Sequence, residues 1–211
     1  MPRSISPPTR RTSSPAWPSR STADAACERS GGGVKFAVVA YPNLRDADRA
    51  WIEAIRAKHD PQAGLIGAHF TLVYPLELSD PTSLATHIHD QIAGARPFPF
   101  KLRHATVFVD GGAYCFLEPG QGRRDLLALY DRLQDGPLDA VRHKDESFRP
   151  HITVARHTDE QVCRRLSDEI NSTKLTISGR IDGIDLIQVL EDQVSTIERI
   201  TFHPTLAPRG A

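Results

Sequence analysis

The chain has 211 residues, no net formal charge, 39% hydrophobic and 25% charged residues, proportions that exclude a wholly disordered or collagen-like protein. No run approaches the roughly 18 apolar residues of a membrane helix. The charge balance argues against a protein that grips nucleic acid mainly through a basic surface. Three widely spaced cysteines, Cys27, Cys115 and Cys163, form no C-x-x-C pair. They argue against a disulfide framework or a zinc site and fit a reducing, cytoplasmic setting.

Composition breaks at residue 33. Residues 1–33 hold 18 Pro, Ser, Thr or Gly and five Arg, too little apolar surface to offset ordering entropy, so this segment is expected to be disordered. Pro2, Pro7, Pro8, Pro15 and Pro18 would break the amphipathic helix of a transit peptide. From Val34 the pattern changes. The apolar run 34–41 reads as a buried strand closed by Pro42. Asn43 can cap a helix to about 58, with Leu44, Ala47, Trp51, Ala54 and Ile55 at helical spacing. A strand over 68–74, ended by Pro75, precedes a helix from Asp80-Pro81 to about 92. Strands near 98–109 and 113–118 flank the Gly111-Gly112 turn.

A helix over 122–134 follows, with Leu126, Leu127, Leu129, Tyr130 and Leu133 as its apolar face. Next come a strand over 148–156 and a helix to about 170 opened by the capping-box pair Thr158 and Gln161. Strands near 174–178, 182–189 and 194–202 finish the chain. Helix–strand–helix–strand–strand thus occurs twice. The expectation is an α+β protein of two similar lobes, each an antiparallel sheet with flanking helices, around a central cleft. One domain spans 34–203, with a flexible tail over 204–211.

Four of the nine histidines are followed two residues later by threonine: His69/Thr71, His104/Thr106, His151/Thr153 and His203/Thr205. Nine histidines and 14 threonines would give fewer than one such pair by chance. On a strand, residues i and i+2 share a face, so each pair presents an imidazole and a hydroxyl together. His203 and Thr205 enclose Pro204 near the tail. His104 and Thr106 run into the glycine turn and read as polar residues on the open face of a hairpin. The other two pairs share their surroundings, Ala68-His69-Phe70-Thr71-Leu72-Val73-Tyr74 and Pro150-His151-Ile152-Thr153-Val154-Ala155-Arg156. Each alternates with apolar residues and leads towards a capped helix.

This pairing resembles the 2H phosphoesterase superfamily, which holds 2'-5' RNA ligase-like proteins and cyclic phosphodiesterases and is named for two H-x-[S/T]-hydrophobic motifs. The stretch Phe148-Arg149-Pro150-His151-Ile152-Thr153-Val154-Ala155-Arg156 is similar to the second of them. The resemblance implies a phosphodiesterase acting on 2',3'-cyclic phosphates or 2'-5' linkages, with His69 and His151 catalytic and Thr71 and Thr153 binding phosphate. Imidazole, with an unperturbed pKa near 6.5, can accept or donate a proton at neutral pH. Two held on opposite sides of phosphorus support in-line displacement without a metal or cofactor. The threonine hydroxyls can donate to nonbridging oxygens.

Arg149 shares parity with His151 and Thr153 and is the preferred cationic phosphate contact, whereas Arg156 falls on the other parity. Tyr114, beside the glycine turn, is the candidate base-stacking residue. The expected partner is a nucleotide or RNA end, with no membrane, and the chain is expected to be a monomer. Alternatives are a 2'-5' RNA ligase and a non-catalytic module that binds nucleotides or RNA ends. His87-Ile88-His89-Asp90 looks like a metal cluster. In a helix, however, residues i and i+2 point about 200° apart, so exposed histidines are expected there. No G-x-S-x-G elbow, phosphate loop or dinucleotide fingerprint is present.

Overall fold

The computed structural model describes residues 34–78, 80–136, 138 and 148–203; the segment 1–33, Thr205 and the tail 204–211 lie outside the described residues. The elements are β1 (Lys35–Ala40), β2 (Asn43–Leu44), α1 (Asp46–His59), β3 (Phe70–Glu77), α2 (Thr82–Ile92), β4 (Phe98–Val109) and β5 (Ala113–Gln121). They continue with α3 (Arg123–Gln134), β6 (Ile152–His157), α4 (Glu160–Ser172), β7 (Ile177–Ile181), β8 (Gly183–Val189) and β9 (Val194–Thr201). Each element expected from the sequence is present, and β2 is an addition.

The fold is α+β with two antiparallel sheets, ordered β3-β1-β8-β9 and β2-β7-β4-β5-β6. The lobes are not the two halves of the chain. β8 and β9, from the C-terminal end, complete the sheet begun by β1 and β3. β2 crosses to pair with β7, Asn43 opposite Arg180. That pairing takes Asn43 out of the capping role expected for it, and α1 starts after Arg45 instead.

One core joins the two sheets. Phe36, Val38 and Ala40 of β1 enter it, while Ala37 and Val39 face a smaller cluster with Ile66 and Ile187, so β1 is apolar on both faces. The rings of Phe70 on β3 and Phe100 on β4 meet edge to face at 5.3 Å across the core. α1 packs on β6, α3 on β3 and β5, and α4 on β4 and β5. β7 stops pairing with β4 at Leu102 opposite Ile177, which leaves the next β4 backbone groups on that side, away from β5, without a ladder. Asn171 of α4 takes over there: its Oδ1 accepts from the Ala105 N–H at 2.8 Å and its Nδ2 donates to the Ala105 carbonyl at 2.9 Å. Buried main-chain groups must find such partners.

Several local expectations are corrected. β3 does not end at Pro75 but runs on to Glu77. Among the described residues it pairs only with β1, and on an edge strand the missing N–H costs no ladder bond. The α4 cap is Asp159, whose side chain accepts from the Gln161 N–H, not Thr158. α1 buries Ile52 and Arg56, with Trp51 and Ile55 only partly buried against the core. His87 is buried rather than exposed, with Nε2 2.9 Å from the Leu133 carbonyl. His89 pairs at the surface with Glu198. Among the described residues no helix is long and apolar enough to cross a membrane.

Candidate active site

The two H-x-T motifs are built alike. Each histidine lies immediately before an edge strand, His69 before β3 and His151 before β6, and each threonine is the second residue of that strand. The first strand pairs Thr71 with Val39 and then Val73 with Val38, so Leu72 is an extra residue. The second pairs Thr153 with Phe116 and then Ala155 with Cys115, so Val154 is extra. Both motif threonines are therefore followed by a β-bulge, the device that re-aims side chains at a sheet edge.

The ring geometry matches as well. His69 Nδ1 lies 2.8 Å from the Gly67 carbonyl and His151 Nδ1 lies 2.6 Å from the Arg149 carbonyl. A carbonyl only accepts, so each Nδ1–H is the donor, and Nε2 is the lone-pair nitrogen of each neutral ring. Burial pushes the pKa of His151 down to about 4 against the opposing Arg149 hydrogen bond, and the charge of His69 acts in the same downward direction as burial. Burial also lowers the pKa of His69, opposed by the Gly67 hydrogen bond.

Their aromatic partners differ. The His151 ring stacks on Phe116 at 3.7 Å between centroids, whereas Tyr41 meets His69 edge-on at 6.2 Å. Phe116 in turn stacks with Phe108 at 5.7 Å and lies 5.9 Å from Tyr114. Tyr114 is only 7% exposed, packed within this aromatic pile, and the Arg156 guanidinium sits 5.7 Å above its ring. Arg156 pairs with Tyr114 across the strands, just as Thr153 pairs with Phe116. The bulge at Val154 has reversed the strand's parity, so Arg156 shares a face with Thr153, contrary to the expectation from simple alternation.

Arg149 also reaches this face, but not as a lone cation. Its Nη2 donates to Glu118 Oε1 and lies 3.4 Å from Thr106 Oγ1. Glu118 is 5% exposed, accepts from the Thr106 hydroxyl at 2.7 Å, and has Arg123 and His104 at 3.5 and 3.8 Å. Burial alone would raise its pKa; the Thr106 hydrogen bond and the Arg149 charge hold it below the ordinary carboxylate value. The His104/Thr106 pair is thus tied to the His151 motif through Glu118, a link that sequence reading missed. Its signal was available, since the Gly111-Gly112 hairpin sets His104 opposite Glu118. One residue further back, Phe148 stacks on Tyr130 of α3 at 3.9 Å.

Among the described residues, no group of three or more His, Cys, Asp or Glu side chains is placed to hold a metal ion. Two antiparallel sheets, each offering an edge-strand H-x-T motif, define a protein of the two-histidine class. The sequence comparison makes the family explicit. Residues 44–193 match the family model of the 2'-5' RNA ligase superfamily, and the chain belongs to that superfamily. A Bacillus pumilus protein provisionally named a phosphoesterase is 26% identical over 168 residues, 78% of this chain and 94% of its own length. A similarly named Bacillus licheniformis protein is 25% identical over 161 residues, covering 74% and 89%.

Among solved structures, E. coli LigT complexed with 3'-AMP superposes with a TM-score of 0.56 at 17% identity, covering 82% of this chain and 100% of that one. A Thermus thermophilus protein gives 0.53 at 16% identity, covering 80% and 97%. These likenesses show the shared fold. Family membership places the chain among phosphoesterase- and ligase-type proteins.

Proposed function

We propose that the chain is a metal-independent phosphodiesterase that opens 2',3'-cyclic phosphates or cleaves 2'-5' linkages at nucleotide or RNA ends, with His69 and His151 as its acid/base pair. The observation that carries this reading is the duplicated motif: two imidazoles, each held through Nδ1 by a carbonyl two residues back, each with a threonine on a bulged edge strand. In hydrolysis one Nε2 removes a proton from water as its oxygen attacks phosphorus. The other imidazole, protonated, donates to the departing ribose oxygen. Thr71 and Thr153 donate to the nonbridging oxygens as negative charge builds. Arg149, held by Glu118, and Arg156 add positive charge on the His151 side. Tyr114 contributes to base binding as part of the pile it forms with Phe108 and Phe116, the family relative LigT having been solved with 3'-AMP.

The family's name favours a second reaction, formation of a 2'-5' bond, in which a 5'-hydroxyl replaces water as the nucleophile on a 2',3'-cyclic phosphate, the bond from phosphorus to O3' breaks, and the same two imidazoles take up and supply the protons. Incubating the purified protein with 2',3'-cyclic nucleotides and with 2'-5'-linked oligonucleotides in EDTA tests the proposal. The expected result is a ring-opened nucleotide monophosphate or a cleaved oligonucleotide. Joined oligonucleotides would establish the ligase direction. Binding without product would make the chain a recognition module and overturn the enzymatic reading.

A further inference from the structure

Arg56 heads the fully buried side chains by size among the described residues, with 1% of its surface exposed. Burying a guanidinium is costly, and a buried ion pair adds little net stability over apolar residues of similar volume. Its partners show what it holds. Arg56 Nη1 donates to Glu53 Oε2 and Arg56 Nε to Asp60 Oδ2, each at 2.9 Å. The second oxygen of each carboxylate takes a backbone N–H: Asp60 Oδ1 that of Gln62 at 3.0 Å, and Glu53 Oε1 that of Ala68 at 2.6 Å. One arginine thus ties together two carboxylates that grip the two ends of the connection from α1 to β3. The gripped residue at the far end lies between Gly67, whose carbonyl holds Nδ1 of His69, and His69 itself.

We infer that Glu53, Arg56 and Asp60 form a positioning clamp for His69, fixing the Gly67 carbonyl and with it the ring's tautomer and aim. This rests on the proposed reaction for its effect on turnover, but not for its effect on the ring. The charged and titratable groups that face His69 are Glu53, Arg56 and Asp60 from α1 and its C-cap, Tyr41 after β1, and His151 from the other motif. Glu53 raises the proton affinity of His69, and Arg56 lowers it. α1 also packs on β6, so the same helix that carries the clamp touches the strand of the second motif.

The test is Glu53→Gln. One amide oxygen cannot replace two carboxylate oxygens, so either the Ala68 or the Arg56 hydrogen bond is lost, together with the charge. Histidine ring NMR titrations of the unliganded wild type and variant, run beside steady-state kinetics, should show three changes. The pKa of His69 falls, its Nδ1–H tautomer is no longer the sole neutral form, and kcat drops by roughly 10²-fold with little change in KM, the scale of a misplaced reacting group. A folded variant with unchanged His69 signals and kcat would overturn the clamp. If Glu53→Gln does not fold, Asp60→Asn carries the same prediction, because Asp60 also raises the proton affinity of His69. If the wild type turns over no phosphodiester, the proposed reaction fails, while the ring titration still decides the clamp.

Discussion

A histidine that spends Nδ1–H on a carbonyl two residues behind it is restrained in rotation and tautomer, and its other nitrogen is left for chemistry. Both His69 and His151 are held this way, and both are harder to protonate in the fold than in water, mainly through burial. The sign of the stability effect follows directly. Between the ordinary imidazole value near 6.5 and the value of about 4 for His151, the unfolded chain binds more protons than the folded one. Stability therefore rises with pH across that window and is lost as pH falls through it. Thermal unfolding followed from pH 7 to pH 4 should show Tm falling through this range, with a shallower fall in His151→Gln. An unchanged slope in His151→Gln would mean that His151 titrates normally.

At the scale of elements, the motif strands depend on contacts that alternation along a chain does not reveal. The bulge at Leu72 turns its carbonyl towards α3, where the buried Gln134 Nε2 donates to it at 3.1 Å. Replacing Gln134 with leucine strands that carbonyl, and the expected cost is about 1–3 kcal/mol by urea denaturation. A loss near zero would show that the carbonyl has another partner. The apolar strands and the helices were legible because burial imposes periodicity, and the two H-x-T motifs were legible because i and i+2 share a strand face. What stayed hidden came from pairing. The edge position of β3 lets Pro75 sit inside a strand, and β2 claims Asn43. The bulge at Val154 carries Arg156 to the face of Thr153, where a period of two puts it on the opposite side. Charged residues in buried places were the hardest to foresee: Arg56 on α1 and Glu118 on β5 occupy positions that a hydrophobic pattern leaves to apolar side chains.

For the whole molecule, the two sheets exchange strands between the halves of the chain, and the proposed reaction requires that this exchange set the two motifs at one site. β3 and β6 are edges of different sheets, and α1, reaching His69 through its clamp and packing on β6, bridges them. The composition of residues 1–33 and the onset of strand pairing at Lys35 predict that a chain starting at Gly31 keeps full turnover; a folded but inactive product would assign that segment a role in the reaction. On the proposed mechanism His69 and His151, 82 positions apart in sequence, act as one acid/base pair. The most direct measurement is kcat on a 2',3'-cyclic nucleotide, in EDTA, for the wild type, His69→Ala, His151→Ala and the double variant, with His203→Ala as control and folding verified for each. Each single change should lower kcat by roughly 10²–10⁴-fold. The double change should cost far less than the product of the two losses, because the residues work as a unit, and His203→Ala should turn over like the wild type. Losses that multiply independently, or a folded His69→Ala variant with undiminished turnover, would contradict that mechanism.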